Sequence, residues 1–179
     1  MKSSSIVFAS ALIIATGGAF VERAASAAEG PTDPQIAHIV VTANQVDIDA
    51  GKLAESKGHE KDVKAFGKQM VTDHSGVNKQ AVALAKKLNV KPEDNPTSQS
   101  LKKGGEDNLK HLKTLKGDAF DKAYIDHEVA YHEQVLDAVD KVLIPNAKNA
   151  ELKDLIVKVR PAFVAHLDHA KKIQSGLKH

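Results

Sequence analysis

The chain has 179 residues, of which 25 are basic, 23 are acidic and none is cysteine. Without cysteine it cannot form disulfides, use thiol catalysis, or hold zinc or iron–sulfur clusters through thiolates. Its formal net charge of +2 gives no electrostatic reason to expect nucleic-acid binding.

The beginning of the chain has the pattern of a secretory signal peptide. Lys2 supplies a positive charge, an apolar run follows over residues 6–15, and Ala25-Ser26-Ala27 fits the small-x-small cleavage motif. The run is shorter than the about 20 residues that a membrane span needs, and no second one follows. We therefore expect export to the periplasm, with an uncleaved membrane anchor as the alternative. The expected segments are a signal peptide at 1–28, a flexible N-terminus at 29–33 and one domain at 34–177.

The first part of that domain shows only the helical period. Asp33 and Pro34 predict an N-cap followed by a proline in the first turn, and Gly58 predicts the end of this helix. A second helix is expected to begin near Glu60, because apolar residues then recur every seven positions. One histidine, His74, lies in that apolar seam.

The middle of the chain has a weaker helical pattern. Two prolines predict a loop over residues 89–97, and a helical stretch follows over residues 98–116. Gly104 and Gly105 lie inside this stretch, so we expect a broken or short helix there.

Two strong helices complete the domain. Asp118 is the expected cap of the first, and Pro145 and Asn146 predict the turn after it. Pro161 should bend the last helix without ending it, because the apolar pattern stays in phase across the proline. Four principal helices with one longer crossover predict an all-α domain, an up-down four-helix bundle with an extra short crossover helix.

Five polar residues fall on the apolar faces of these helices. They are three histidines on three different helices and two carboxylates: His74, His132, His166, Asp47 and Glu128. If the turns at Gly58 and Pro145 lie at the same end of the bundle, a rise of about 1.5 Å per residue puts all five within about two helical turns of one another. The pattern therefore predicts one buried polar layer.

This layer has the chemistry of a transition-metal site. Imidazole and carboxylate ligands suit zinc, iron, manganese or copper, and facing helices of a bundle can hold them. Glu128 and His132 are four residues apart, which differs from the Glu-x-x-His pair of di-iron bundles. The alternative is a purely structural layer, because buried histidine–carboxylate pairs also fix the register of helices.

The polar neighbours of the layer have simpler interpretations. Asp73 is expected to cap or pair locally, and Asp121 lies in a first helical turn, where the helix dipole favours an acid. Tyr124 and Tyr131 are expected to be core residues with their hydroxyls at the rim.

Three spaced motifs are characteristic of the domain: Lys64–His74, Phe120–His132 and Pro161–Leu167. Together they resemble the exported bacterial family called domain of unknown function 4142, whose members are often labelled predicted outer-membrane proteins. The resemblance covers about residues 34–175. It implies a ferritin-like four-helix bundle in the cell envelope and no assigned activity.

The resemblance also concerns the polar layer. His74, His132 and His166 match the family's motif histidines, while Asp47 and Asp49 stand where members often have glutamates. Three functions remain open at this point. The domain is expected to bind a transition metal for storage, buffering or sensing; the alternatives are an envelope interaction or stress-protection module and, least favoured, a metal-dependent redox enzyme. Expected partners exclude nucleic acid and a membrane-spanning contact in the mature chain, and include peripheral association with the envelope.

Overall fold

The computed structural model describes residues 30–177, so the predicted signal peptide lies outside the described residues. Every regular element in this range is helical, which confirms the all-α class. A π-helical turn (Val139–Leu143) and a short turn (Ile144–Asn146) extend the fourth helix. The long helices are α1 (Asp33–Lys57), α2 (Lys61–Lys87), α3 (Pro96–Thr114), α4 (Gly117–Ala138) and α5 (Ala150–Gly176).

Asp33 does not cap its own helix but binds the backbone just before a distant one. The N-cap of α1 is Thr32, whose backbone N–H donates to Gln35 Oε1 at 3.1 Å, so the predicted cap was one residue too late. The Asp33 carboxylate instead accepts the backbone N–H groups of Lys148 and Asn149, each at 2.9 Å, just before α5. The starts of α1 and α5 therefore lie at the same end of the molecule.

A second aspartate makes the equivalent contact at the other end. Asp121, in the first turns of α4, is fully buried and accepts the backbone N–H groups of His59 at 2.9 Å and Glu60 at 2.6 Å. It thereby satisfies free donors at the start of α2. Asp118, the expected cap of α4, lies 2.9 Å from His59 Nδ1 instead, and the N-cap of α4 is Lys116.

These contacts fix the helix directions. The turn at Gly58 lies beside the start of α4, whereas the Pro145–Asn146 turn lies beside the start of α1. The assumption that both turns share one end was therefore wrong. The packed pairs α1–α2, α4–α5, α2–α5 and α1–α4 all run antiparallel.

Helices α1 and α2 are in close contact at Gly51 and Gly67. A Cβ atom added to Gly67 would lie 2.7 Å from the carbonyl oxygen of Gly51, and one added to Gly51 would lie 2.7 Å from that of Gly67. Backbone therefore packs on backbone at this crossing, which is possible only without side chains.

The crossover helix α3 is continuous over 19 residues, so the expected break at Gly104-Gly105 was wrong. Asn95 caps it by accepting the Ser98 N–H at 3.1 Å. Gly105 packs directly on Val46 of α1, where an added Cβ would lie 2.8 Å from Val46 Cγ2. This packing offsets the low helix propensity of glycine, about 1 kcal/mol per residue.

Proline has different effects in the last two helices. Pro145 has no N–H to donate to the carbonyl four residues earlier, and just before it the Ile144 N–H bonds to Val139 O, a π-type contact. Pro161 leaves α5 unbroken, as predicted. Among the described residues, no helix combines the length and the apolar character that crossing a membrane requires.

Candidate metal-binding layer

Three histidines from three helices meet in the middle of the bundle. His74 comes from α2, His132 from α4 and His166 from α5, and each is at most 2 % exposed. Their ring centroids are 5.2 Å apart for His74–His166, 5.5 Å for His132–His166 and 5.8 Å for His74–His132. The three buried imidazoles are close enough to affect one another's pKa and to bind a common ligand.

One ring nitrogen of each histidine is held by an acceptor. His132 Nδ1–H donates to the backbone carbonyl of Glu128 at 3.0 Å, and His166 Nε2–H donates to Asp73 Oδ2 at 2.9 Å. His74 Nδ1 lies 2.7 Å from Asn44 Oδ1. The Asn44 amide nitrogen donates to the Val40 carbonyl at 2.7 Å, so its oxygen must be the acceptor for His74.

These contacts fix the tautomer of every ring. A neutral imidazole carries one N–H and one lone pair, so the nitrogens that remain are acceptors. Those nitrogens are His74 Nε2, His132 Nε2 and His166 Nδ1, and none has a hydrogen-bond partner among the described residues. One ligand atom from each of the three histidines can be chosen so that all lie within 4.8 Å of one another.

Burial also keeps the imidazoles uncharged. Burial lowers the pKa of His74 well below its ordinary value, and the neighbouring His132 and His166 lower it further. Burial lowers the pKa of His132 to about 4, although the hydrogen bond to Glu128 O works in the opposite direction. The pKa of His166 is lowered by burial too, against the opposing effect of Asp73. At neutral pH the three rings are therefore ready to donate lone pairs.

Two carboxyl groups adjoin the histidines. Ligand atoms of Asp47, Glu128 and His132 also lie within 4.8 Å of one another, and Asp47 Oδ2 is 3.5 Å from His74 Nε2. Burial raises the pKa of Asp47 and of Glu128 well above the ordinary range, and the Asp47 charge adds to the rise at Glu128. No other described residue donates an N–H or a hydroxyl to Asp47 Oδ1 or to either oxygen of Glu128, and a hydrogen bond between the two carboxyl groups lowers the pKa of Asp47 and raises that of Glu128.

Three unpaired imidazole lone pairs beside two buried carboxyl groups are unfavourable in the protein alone. Buried polar groups normally have a hydrogen-bond partner, and an unsatisfied one costs about 1–3 kcal/mol. The three imidazoles present lone pairs, whereas the two carboxyl groups, whose pKa values are raised, hydrogen-bond to each other. A bound cation would satisfy all of them at once.

Aromatic side chains surround this layer. The Phe163 ring stacks on His74, with centroids 5.2 Å apart and planes 7° apart. Tyr131 lies edge-on to His132 and donates its hydroxyl to the Ala43 carbonyl at 3.0 Å. The hydroxyl of Tyr124 is buried without a partner among the described residues. The prediction that its hydroxyl lies at the rim was wrong for Tyr124.

All five predicted site residues therefore come together. The helix directions differ from those assumed, but each residue lies near the middle of its helix, so the layer forms in either arrangement. The sequence reasoning missed Asn44 and assigned Asp73 to a local contact, although Asp73 reaches His166 across the bundle. The position of Asp73 directly before His74 was the available signal.

Comparisons with known proteins give a family without an activity. The family model described as Domain of unknown function (DUF4142) matches residues 19–173. No curated protein and no solved structure matches the chain.

Proposed function

The chain belongs to the DUF4142 family, whose description assigns no activity, and we propose that it binds a transition-metal ion in the buried layer. His74, His132 and His166 would be the principal ligands, with Asp47 and Glu128 completing the coordination. Storage, buffering or sensing of the ion would follow from such binding.

The observation that carries the proposal is that the two ring nitrogens of each histidine are hydrogen-bonded differently. One nitrogen of each ring donates to a fixed acceptor, which is Asn44 Oδ1, the Glu128 backbone carbonyl or Asp73 Oδ2, and the other has no hydrogen-bond partner among the described residues. Metal-binding histidines have this arrangement, because the outer hydrogen bond fixes the tautomer and orients the ring. A structural histidine would be expected to use both nitrogens.

The ligand set limits the class of ion. Neutral imidazoles favour zinc, copper, iron and nickel, and carboxylates extend the range to manganese. The set contains no thiolate, because the chain has no cysteine. Iron, zinc, manganese and copper are therefore the ions to test. When bound, such an ion would neutralise the buried carboxylates and hold the four helices together.

The setting of this function is also part of the proposal. We propose that residues 1–28 are a cleaved signal peptide and that residues 34–177 form a ferritin-like, up-down four-helix bundle in the periplasm. The apolar run and cleavage motif support export. The antiparallel packing of the four long helices, with α3 as a crossover, supports the bundle.

Metal stoichiometry and thermal unfolding test the proposal. The protein is purified without a histidine tag, stripped with a chelator and titrated with zinc, iron, manganese and copper. Saturation at about 100 times Kd stabilises a folded protein by about 2.7 kcal/mol, so Tm should rise by about 10 °C. His132→Gln should abolish the rise, whereas the matched control His111→Gln, at an exposed position on α3, should keep it.

One outcome would refute the metal function. A wild-type protein that carries no metal, and whose Tm ignores all four ions, has a purely structural polar layer.

A further inference from the structure

An apolar cavity of about 170 Å³ lies against one side of the metal-binding layer. Its inner end is formed by the buried residues Asn44, Asp47 and His74. Its walls are mainly aliphatic side chains from α1, α4 and α5, together with the ring of Phe163. Its outer end is formed by residues that are exposed to solvent: Thr97, Gln134 and Val142.

The lining determines what the cavity can hold. Of the described residues around it, only Asp47, His74 and Tyr131 can titrate, and none is a lysine, an arginine or a glutamate. A charged or strongly polar molecule would lose its hydration there without gaining matching hydrogen bonds. An uncharged apolar molecule has no comparable hydration free energy to lose on entering the cavity.

The volume sets an upper limit on size. Engineered protein cavities of about 150 Å³ with aliphatic and aromatic linings stay dry and bind benzene or xenon. The cavity beside His74 is of the same size, about 170 Å³. A molecule as large as benzene therefore fits and a folded peptide does not, while the apolar lining disfavours a sugar.

The π-helical turn shapes the outer wall. Val139, Val142 and Leu143 of this turn all line the cavity. Turns of this kind widen a helix locally and occur frequently at functional sites. The widening arises here because Pro145 cannot continue the ordinary hydrogen-bond ladder.

We propose that this cavity is a binding site for a small, uncharged, apolar molecule no larger than about benzene, held beside the metal-binding layer. Its position next to a metal ion rests on the proposed function above, whereas binding of the apolar molecule itself requires no metal. The cavity then gives uncharged molecules, and not hydrated ions, access to the His74 side of the layer.

Benzene and xenon test this site on the folded, metal-free protein. Benzene is titrated by calorimetry, and xenon-induced changes in amide chemical shifts are mapped by NMR. We expect saturable benzene binding, and xenon shifts concentrated near Val159 and Phe163. The filled variants Ala43→Leu and Ala138→Leu should weaken benzene binding at least tenfold, whereas Ala130→Leu, on the exposed side of α4, should not.

The two proposals fail separately. His132 does not line the cavity, so His132→Gln should lose metal and keep benzene. A wild-type protein that binds benzene and no metal would refute the metal function and support the cavity site. Absence of saturable benzene binding, xenon shifts elsewhere in the molecule, or unchanged affinity in both filled variants would overturn the cavity proposal.

Discussion

The close approach of α1 and α2 predicts a strong effect of one methyl group, in Gly67→Ala. The added Cβ would lie 2.7 Å from Gly51 O, 2.8 Å from Ala54 Cβ and 2.9 Å from Glu55 N, whereas ordinary contacts lie at 3.4–4 Å. Backbone atoms cannot rotate away as a side chain can. The two helices must therefore separate by several tenths of an ångström.

The size of the effect follows from two opposing contributions. Overpacking of this kind costs about 1–3 kcal/mol, and the backbone contacts place Gly67 at the upper end. Replacing glycine by alanine within a helix returns about 1 kcal/mol. We expect a net loss of about 2 kcal/mol in the free energy of unfolding, or about 8 °C in Tm.

Gly76→Ala is the matched control, because it makes the same substitution in the same helix. Nothing lies within 4 Å of a Cβ added there, so only the helix propensity changes. This variant should gain about 1 kcal/mol. Urea unfolding of both variants at pH 7 measures the difference, which we expect to be about 3 kcal/mol.

Gly67→Ala should also weaken metal binding. Asp47 precedes Gly51 by about one helical turn and His74 follows Gly67 by about two, so separating the helices lengthens the 3.5 Å contact between Asp47 Oδ2 and His74 Nε2. Competition with a zinc chelator should show an affinity at least tenfold lower than in Gly76→Ala. If Gly67→Ala were as stable as Gly76→Ala, the close-packing argument would be refuted.

Three further predictions concern pH, the outer hydrogen bonds and α3. Because the pKa of His132 falls from 6.5 to about 4 on folding, its unfolded form binds more protons between these values; lowering the pH through this window should cost metal-free protein up to about 3 kcal/mol in urea unfolding through His132 alone, whereas Asp47 and Glu128, whose pKa values are raised, contribute with the opposite sign. That loss should be smaller in His132→Gln, and equal losses would contradict it. Asp73→Ala removes the acceptor for His166 and should lower zinc affinity about 10–100-fold in chelator competition, with unchanged affinity as the contrary result. Gly104→Ala should raise Tm and Gly105→Ala should lower it, because only the second Cβ meets Val46; changes of the same sign would contradict this.

The helices and the inward residues were predictable because both depend on local periodicity. A polar residue on an apolar stripe, such as His74 or Glu128, points inward whatever the helix packs against. The convergence of these residues was predicted from an incorrect helix direction, and it held because they lie near the middle of their helices. The depth of a residue at the middle of a helix is about the same whichever end of the helix it is counted from.

Contacts between distant segments were not predictable in the same way. The acceptor for His166 is Asp73, 93 residues away; the position of Asp73 beside His74 puts it near the layer but does not say which histidine it binds. Gly104 and Gly105 are indistinguishable in sequence, yet only Gly105 meets Val46. The continuity of α3 depends on that tertiary contact, which overrides the local propensity of two glycines.

The two aspartates that bind backbone N–H groups at opposite ends of the bundle have a consequence for cooperativity. Asp33 of α1 binds the backbone before α5, and Asp121 of α4 binds the backbone before α2. The α1–α2 pair and the α4–α5 pair therefore each supply a carboxylate that holds the start of a helix in the other pair. Neither pair can detach without exposing its own layer residues and losing four hydrogen bonds, two to Asp33 and two to Asp121. We expect the chain to unfold as one two-state unit, with half-molecules that do not fold alone.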